Sequence, residues 1–439
     1  MTRSFRIVSA GVVAFACWAA SFPVQVCAAT LTSYAAPWRI AHARSRPAAT
    51  VVPAAVTVKP AGDGSDQTDA LQAALNALQA GQTLILAPGR YTVSRSLSVA
   101  VAGVVVTGYG ATLVATNPAD QTIVMSGTGS TLVGVTLIGT GTTRLTIPAS
   151  TKVEVTGTGV QVLGVTIQGG ASAGIFVFGG SNVAIVGNTV RTTLADGIHT
   201  TYGSTNVLVQ GNTVTGTGDD LIAVVSYLGD GRLSSNVRID HNTVSGNYWG
   251  RGIAVVGGQA VTISNNTVDG VQKAAGILVA QEDSWRTYGV SNVVIDNNVV
   301  TNIQNSNVNN GLQPTQQGAL ELDTWSGSVS YVAVTRNRVS GSGYAGFRAV
   351  GNVCEFKVAD NTFASIAGTP VSLLSSGCTA SRIVVSGNTM DGVALVRPVG
   401  ASSSGTIAAA GAATAAMPQV RTGLMQSTTG APSTSGAAR

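Results

Sequence analysis

The run NVLVQGNTV, residues 206–214, alternates apolar and polar positions up to a corner at Asn212. The same phrase returns as NVAIVGNTV (182–190), NVRIDHNTV (236–244), AVTISNNTV (260–268), NVVIDNNVV (292–300), YVAVTRNRV (331–339), EFKVADNTF (355–363) and RIVVSGNTM (382–390). Its asparagines, Asn188, Asn212, Asn242, Asn266, Asn298, Asn337, Asn361 and Asn388, are separated by 24, 30, 24, 32, 39, 24 and 27 residues. A short basic period with occasional insertions is the signature of a solenoid. Each period holds three short β-rich runs, too close together for crossover helices. The chain must coil so that each run pairs with its equivalent one turn later, which predicts an all-β fold, a right-handed single-stranded parallel β-helix. Asparagines stacked at one corner let each amide donate to the next, satisfying groups that burial would leave unpaired, so the column reads as structural. His241 precedes one such corner and reads as a surface turn residue. Earlier coils around Val105, Val135 and Val165 carry Val or Ala in place of Asn.

With 54 glycines, only 10% charged residues and few helix-forming runs among 439 residues, one elongated β domain fits better than two or three ordinary ones. The net charge of +5, from 24 basic and 19 acidic residues, is spread without a basic block and speaks against nucleic acid as a partner. Residues 1–28 read as a secretory signal peptide: Arg3 and Arg6, an apolar run from Ile7 to Ala20, then small residues around Val26–Ala29. That run is shorter than the roughly 20 residues of a membrane span. A secreted or periplasmic monomer, with no membrane contact after cleavage, is expected. Residues 29–56 read as a disordered linker, 57–398 as the β-helix, and 399–439, with no acid or aromatic from Gly400 on, as a disordered tail. An amphipathic helix over Leu71–Gln79, capped by Thr68 or Asp69 and stopped by Gly81, is expected to cover the first end of the solenoid. Asp63, Asp66 and Asp69 read as turn and cap residues instead of a calcium loop.

One strand of each coil begins at Ala173, Asp196, Asp220, Arg251, Ala275, Gly318, Ala345 and Thr369. Two residues later stand Ile175, Ile198, Ile222, Ile253, Ile277, Leu320, Phe347 and Val371, a column that points inward. The next residue in each strand must point outward, giving Phe176, His199, Ala223, Ala254, Leu278, Glu321, Arg348 and Ser372. Further outward positions include Phe178, Thr201, Val225 and Asp323. Ionisable residues therefore gather on this face. The insertions SYLGDGRLSS, QEDSWRTYGVS and NIQNSNVNNGLQPTQQ flank the same sheet and would wall a groove, with Trp249, Trp285, Tyr227, Tyr288 and Trp325 in or near them. Asp196, Asp219 and Asp220 are the candidate catalytic acids. On neighbouring strands about 4.8 Å apart they should repel, raising at least one pKa toward that of a general acid. Diverging side chains would reach the roughly 6.5–9.5 Å carboxyl spacing of an inverting glycosidase. Cys354 and Cys378 take equivalent positions on successive coils and are expected to form a disulfide. No HExxH motif, CxxC pair, GxSxG elbow or P-loop is present.

The segment Asp63–Gly64, Ala70–Leu75 and Leu86–Tyr91 resembles the entry of pectate-lyase superfamily β-helices, over about Thr57–Pro398. That resemblance implies the fold but not one chemistry, since the superfamily contains hydrolases, lyases, epimerases and binding proteins. Within it, Ala195-Asp196-Gly197, Gly218-Asp219-Asp220 and Gly250-Arg251-Gly252 are similar to family 28 glycoside hydrolases, the polygalacturonases. The similarity implies Asp219 as general acid and Asp196 with Asp220 as the pair that activates water. It departs where Arg251 replaces the family His, and where AGILVAQE (275–282) lacks the Arg and Lys that grip a galacturonate carboxylate. The candidate substrate-binding residues are His199, Arg251, Glu321, Asp323, Arg348 and Trp285, for a polysaccharide or oligosaccharide. No metal or cofactor is expected for a hydrolase. A lyase or C5-epimerase, with Arg251, Arg348 or Lys273 and calcium held by Asp and Glu, and a noncatalytic glycan-binding solenoid are the alternatives.

Overall fold

The computed structural model describes residues 55–308, 310–376, 378–396 and 404–407. Among the described residues three sheets of 13, 12 and 13 strands run the length of the solenoid, and each strand pairs in parallel with its equivalent one coil on, except that Val393–Ala394 and Ser404–Ile407 pair antiparallel at the last edge. The middle sheet contains Ile175–Phe178, Ile198–Thr201, Ile222–Val225, Ile253–Val256, Ile277–Gln281, Leu320–Thr324, Phe347–Gly351 and Val371–Ser375. Its register aligns Ile175, Ile198, Ile222, Ile253, Ile277, Leu320, Phe347 and Val371 in one buried column. The outward column from Phe176 to Ser372 is also as read from the sequence. The expected disulfide joins Cys354 and Cys378, with Cα atoms 5.3 Å apart.

The asparagine column forms the expected ladder. Asn212 Oδ1 accepts from both the backbone N–H and the Nδ2 of Asn188 at 2.9 Å, while Asn212 Nδ2 donates to Ile185 O and to Asn242 Oδ1. The pattern repeats to Asn388. Each ladder residue follows a corner in the left-handed region: Gly187, Gly211, His241, Asn265, Asn297, Arg336, Asp360 and Gly387 all have φ between 54° and 67°. Such a corner suits Gly or Asn, and the buried amide behind it supplies the acceptor that the turning backbone needs. His241 is an exposed corner residue whose Nδ1 lies 2.9 Å from Asp240. Toward the N-terminus the column passes through Val165, Val135 and Ala111, the Val or Ala expected there.

At the first end, the helix Thr68–Asn76 buries Leu71 and Leu75 over the core. Its cap is Asp66, whose Oδ1 accepts from the Thr68 N–H and hydroxyl, in place of the expected Thr68 or Asp69. Gly81 is left-handed but lies beyond the helix end. Two boundaries move. Val56 already belongs to strand Val56–Val58, and Ser404–Ile407, assigned to the tail, pairs antiparallel with Val371–Leu374 and covers the last edge of the middle sheet. Composition sees few large side chains in that tail; the exposed edge offers it backbone partners all the same. The signal peptide, the linker before residue 55 and the rest of the tail lie outside the described residues.

Asn266→Ala removes the acceptor of the Asn242 backbone N–H and the donor to Ile239 O, both buried. With orphaned groups costing about 1–3 kcal/mol each, the variant is expected to lose about 2–5 kcal/mol in denaturant unfolding; a loss below about 1 kcal/mol would refute the structural role of the ladder.

Candidate active site

The starts of two neighbouring strands place the acids. Asp196 precedes Ile198–Thr201 and Asp220 precedes Ile222–Val225, and the Gly197 N–H donates to Asp220 O, which locks the two turns in register. Asp219 shares the turn with Asp220. One oxygen from each of Asp196, Asp219 and Asp220 lies within 4.8 Å of the others. This is closer than the roughly 6.5–9.5 Å expected for an opposed pair, because stacked coils set the carboxylates at strand spacing. The close approach also depends on Gly250, where a Cβ would fall 2.5 Å from Asp220 Oδ1.

Each acid has its own partner. Asp196 Oδ2 accepts from His199 Nδ1–H at 2.5 Å, and the His199 ring is sandwiched against Phe176, centroids 4.8 Å apart. This leaves Nε2 as a buried acceptor with no partner among the described residues. Asp220 Oδ1 accepts from the Arg251 backbone N–H at 2.6 Å. The Arg251 guanidinium turns away to Glu282, and its Nη1 stays 3.9 Å from Asp220. Asp219 Oδ2 is bonded to Arg144 Nη1 at 2.7 Å. Arginines thus compensate part of the charge of the cluster.

Burial raises the Asp219 carboxyl above the ordinary carboxylate range; Asp196 adds to the rise and Arg144 opposes it. Asp220 is raised further, by burial against the pull of Arg251. The expected rise is present, but desolvation outweighs the mutual repulsion that the sequence suggested.

The acids line a cavity of about 300 Å³ whose walls come from the insertions. Residues 226–228 and 286–288 lie side by side, joined by Leu228 N–H to Arg286 O at 2.8 Å and Tyr288 N–H to Ser226 O at 3.0 Å. Beneath them Ala223, Val225, Ala254, Val256 and Leu278 form a second small apolar cluster on the outside of the sheet. That is why outward positions here are small and apolar. Tyr227, Trp249 and Trp285 line the cavity, with Trp285 54% exposed at its rim. Tyr288 and Trp325 do not line it. Lys273 Nζ sits 4.1 Å over the Trp249 ring and donates to Gln313 O, so it serves that wall and not the acids.

His199, Arg251 and Trp285 therefore join the three aspartates, whereas Glu321, Asp323 and Arg348 do not line the cavity. Glu321 is fully buried in an ion pair with Arg348, Oε1 to Nη2 at 2.8 Å, and also accepts from the Gly318 N–H. Burial pushes Glu321 up to about 7 and Asp323 up to about 6, with Arg348 opposing both. Two cavity residues escaped sequence reasoning. Glu282 stands at the head of an insertion already singled out. Arg144 belongs to an insertion that was overlooked: the turn into this sheet spans 169–174, 192–197 and 216–221 in the next three coils but 139–152 here.

A family model described as a right handed beta helix region matches residues 121–300. No curated protein matches the chain. Among solved structures it is similar to the catalytic domain of a GH87 α-1,3-glucanase in complex with tetrasaccharides, at 16% identity and TM-score 0.62, covering 79% of this chain and 68% of that one. It is also similar to an exopolygalacturonase from Thermotoga maritima (14%, TM-score 0.56, 77% and 92%) and to PfbA, a surface adhesin of Streptococcus pneumoniae (16%, TM-score 0.55, 77% and 90%). The class these define is the right-handed parallel β-helix. Among the described residues no helix is long and apolar enough to cross a membrane.

A raised carboxyl opposes folding only where it must ionise. Below the unfolded-state pKa of Asp220 both states are protonated, and above its folded value the full penalty applies. Asp220→Asn is accordingly expected to raise the thermal midpoint at pH 7 and to lose that gain near pH 3. A variant less stable than wild type at pH 7 would contradict the assignment.

Proposed function

We propose that the protein is a secreted polysaccharide hydrolase acting on uncharged sugars, with Asp219 as general acid and Asp196 with Asp220 as the pair that activates water. The observation that carries this reading is three carboxylates meeting within 4.8 Å in a walled cavity, two of them with raised proton affinity. In the proposed step Asp219 gives its proton to the glycosidic oxygen as the bond to the anomeric carbon breaks. The Asp196–Asp220 pair takes a proton from the water whose oxygen bonds to that carbon. With no carboxylate acting as nucleophile, this scheme inverts the anomeric centre; that outcome follows from the assigned roles and not from the spacing of the acids, which is below that of an opposed pair. The scheme calls for no cofactor.

Two further observations support it. The α-1,3-glucanase structures include single Asp→Ala variants at three positions: an adjacent pair and a third preceding it by the interval that separates Asp196 from Asp219. The charge balance favours a neutral sugar. Asp196, Asp219, Asp220 and Glu282 face the cavity against only Arg144 and Arg251, both already paired. In the unliganded site a uronate carboxylate would meet more acids than guanidiniums, with both guanidiniums engaged, so the polygalacturonase substrate is the poorer fit. Arg251, enclosed with Glu282, is equally ill placed to be the base of a lyase.

A screen of the purified protein against neutral and acidic glycans is expected to give new reducing ends from a neutral polymer, in EDTA as well, with no absorbance near 235 nm. Asp219→Asn should lower turnover by about 10²–10⁴-fold. An unsaturated product would point to elimination, and binding without product to a noncatalytic solenoid.

A further inference from the structure

Arg144 reaches the acid cluster from outside the sheet. It leaves the chain in the turn before Val153–Val155, whereas Asp219 precedes Ile222–Val225, three strand spacings along the same sheet. The insertion 139–152 and the Arg144 side chain together span the coils between. Arg144 is 45% exposed, its bond is to Asp219 Oδ2, and both residues line the cavity. An ion pair this open to solvent adds little to stability, so a role as a staple is a poor account of the insertion. Asp196 and Asp220 hold their positions through His199 and the Arg251 backbone; Asp219 has Arg144.

We propose that Arg144 is a positioning residue for the general acid: it holds Asp219 as a carboxylate in the empty site and is displaced from it when a sugar ring enters. This rests on the acid role proposed above for Asp219. A glycosidic oxygen that approaches Asp219 Oδ2 takes the place Arg144 Nη1 now holds, so that complex and the ion pair exclude one another. Once the guanidinium leaves, Asp219 faces Asp196 from the preceding coil, Asp220 from its own turn, and the hydroxyl of Tyr227 from the insertion beyond. Arg251, from the following coil, is engaged by Glu282. Burial and Asp196, with Arg251 still opposing, then favour uptake of a solvent proton by Asp219, and that proton is the one delivered to the leaving oxygen. Sugar binding thereby arms the acid.

The test uses Arg144→Gln and Arg144→Lys in the full chain. The pH profile of kcat/KM reports the free enzyme and that of kcat reports the complex. Losing the Arg144 charge should move the basic limb of kcat/KM upward by about one pH unit or more. The basic limb of kcat should stay in place, because Arg144 has already left Asp219 there, and Arg144→Lys should bring the kcat/KM limb back toward wild type. Basic limbs that do not move, or that move together in both profiles, overturn the proposal. A carbon-13 NMR titration of the Asp219 carboxyl in the unliganded protein gives a readout independent of turnover. A higher midpoint in Arg144→Gln supports the proposal and an unchanged one overturns it. Asp219→Asn, measured alongside, separates the two levels: full activity there discards the acid role and this inference with it. An inactive Asp219→Asn with an unresponsive Arg144→Gln discards Arg144 alone.

Discussion

Every feature of this protein depends on coils stacking in register at strand spacing. A parallel sheet one strand per coil deep turns each position of the repeat into a column, and a column is either wholly buried or wholly outward. Inside, Ile, Val and Leu columns fill the core, and the asparagine ladder occupies the one corner where a turning backbone would leave donors without acceptors. A slip of one residue in any coil would carry its isoleucine outward and break the amide chain on both sides. The ladder thus fixes register as well as satisfying polar groups.

The same stacking creates the tension at the site. Carboxylates placed at the same turn of successive coils cannot move apart, since their backbones are joined by the ladder. The molecule offsets this with partners drawn from elsewhere: His199 on the strand itself, Arg251 one coil on with Glu282 behind it, and Arg144 from three coils back. Burial still raises the proton affinity of Asp219 and Asp220. The site costs stability and is nevertheless enclosed by two joined insertions over their own apolar cluster, the arrangement on which the proposed hydrolase reading rests.

The columns were legible from spacing alone, down to which residue of each strand faces inward. Their surroundings were less so. Glu321 and Arg348 stand in the outward column as read, but they face one another on adjacent strands and close into a buried pair instead of lining the cavity. Arg144 was hidden because its coil lacks the asparagine that marks the repeat, so the length of its turn could not be compared with the others. The strand Ser404–Ile407 was hidden for a different reason: its pairing is made by backbone groups, to which side-chain composition is nearly blind.

Periodicity by itself determined the solenoid, the inward and outward columns, the disulfide and the gathering of Asp196, Asp219 and Asp220, because a repeat in sequence becomes a repeat in space once strands stack. Only the tertiary structure decided which charges pair with which, what the insertions cover, and that an arginine three coils away rests on Asp219. Those outcomes hang on the paths of irregular loops and the reach of long side chains, and neither is written in a period.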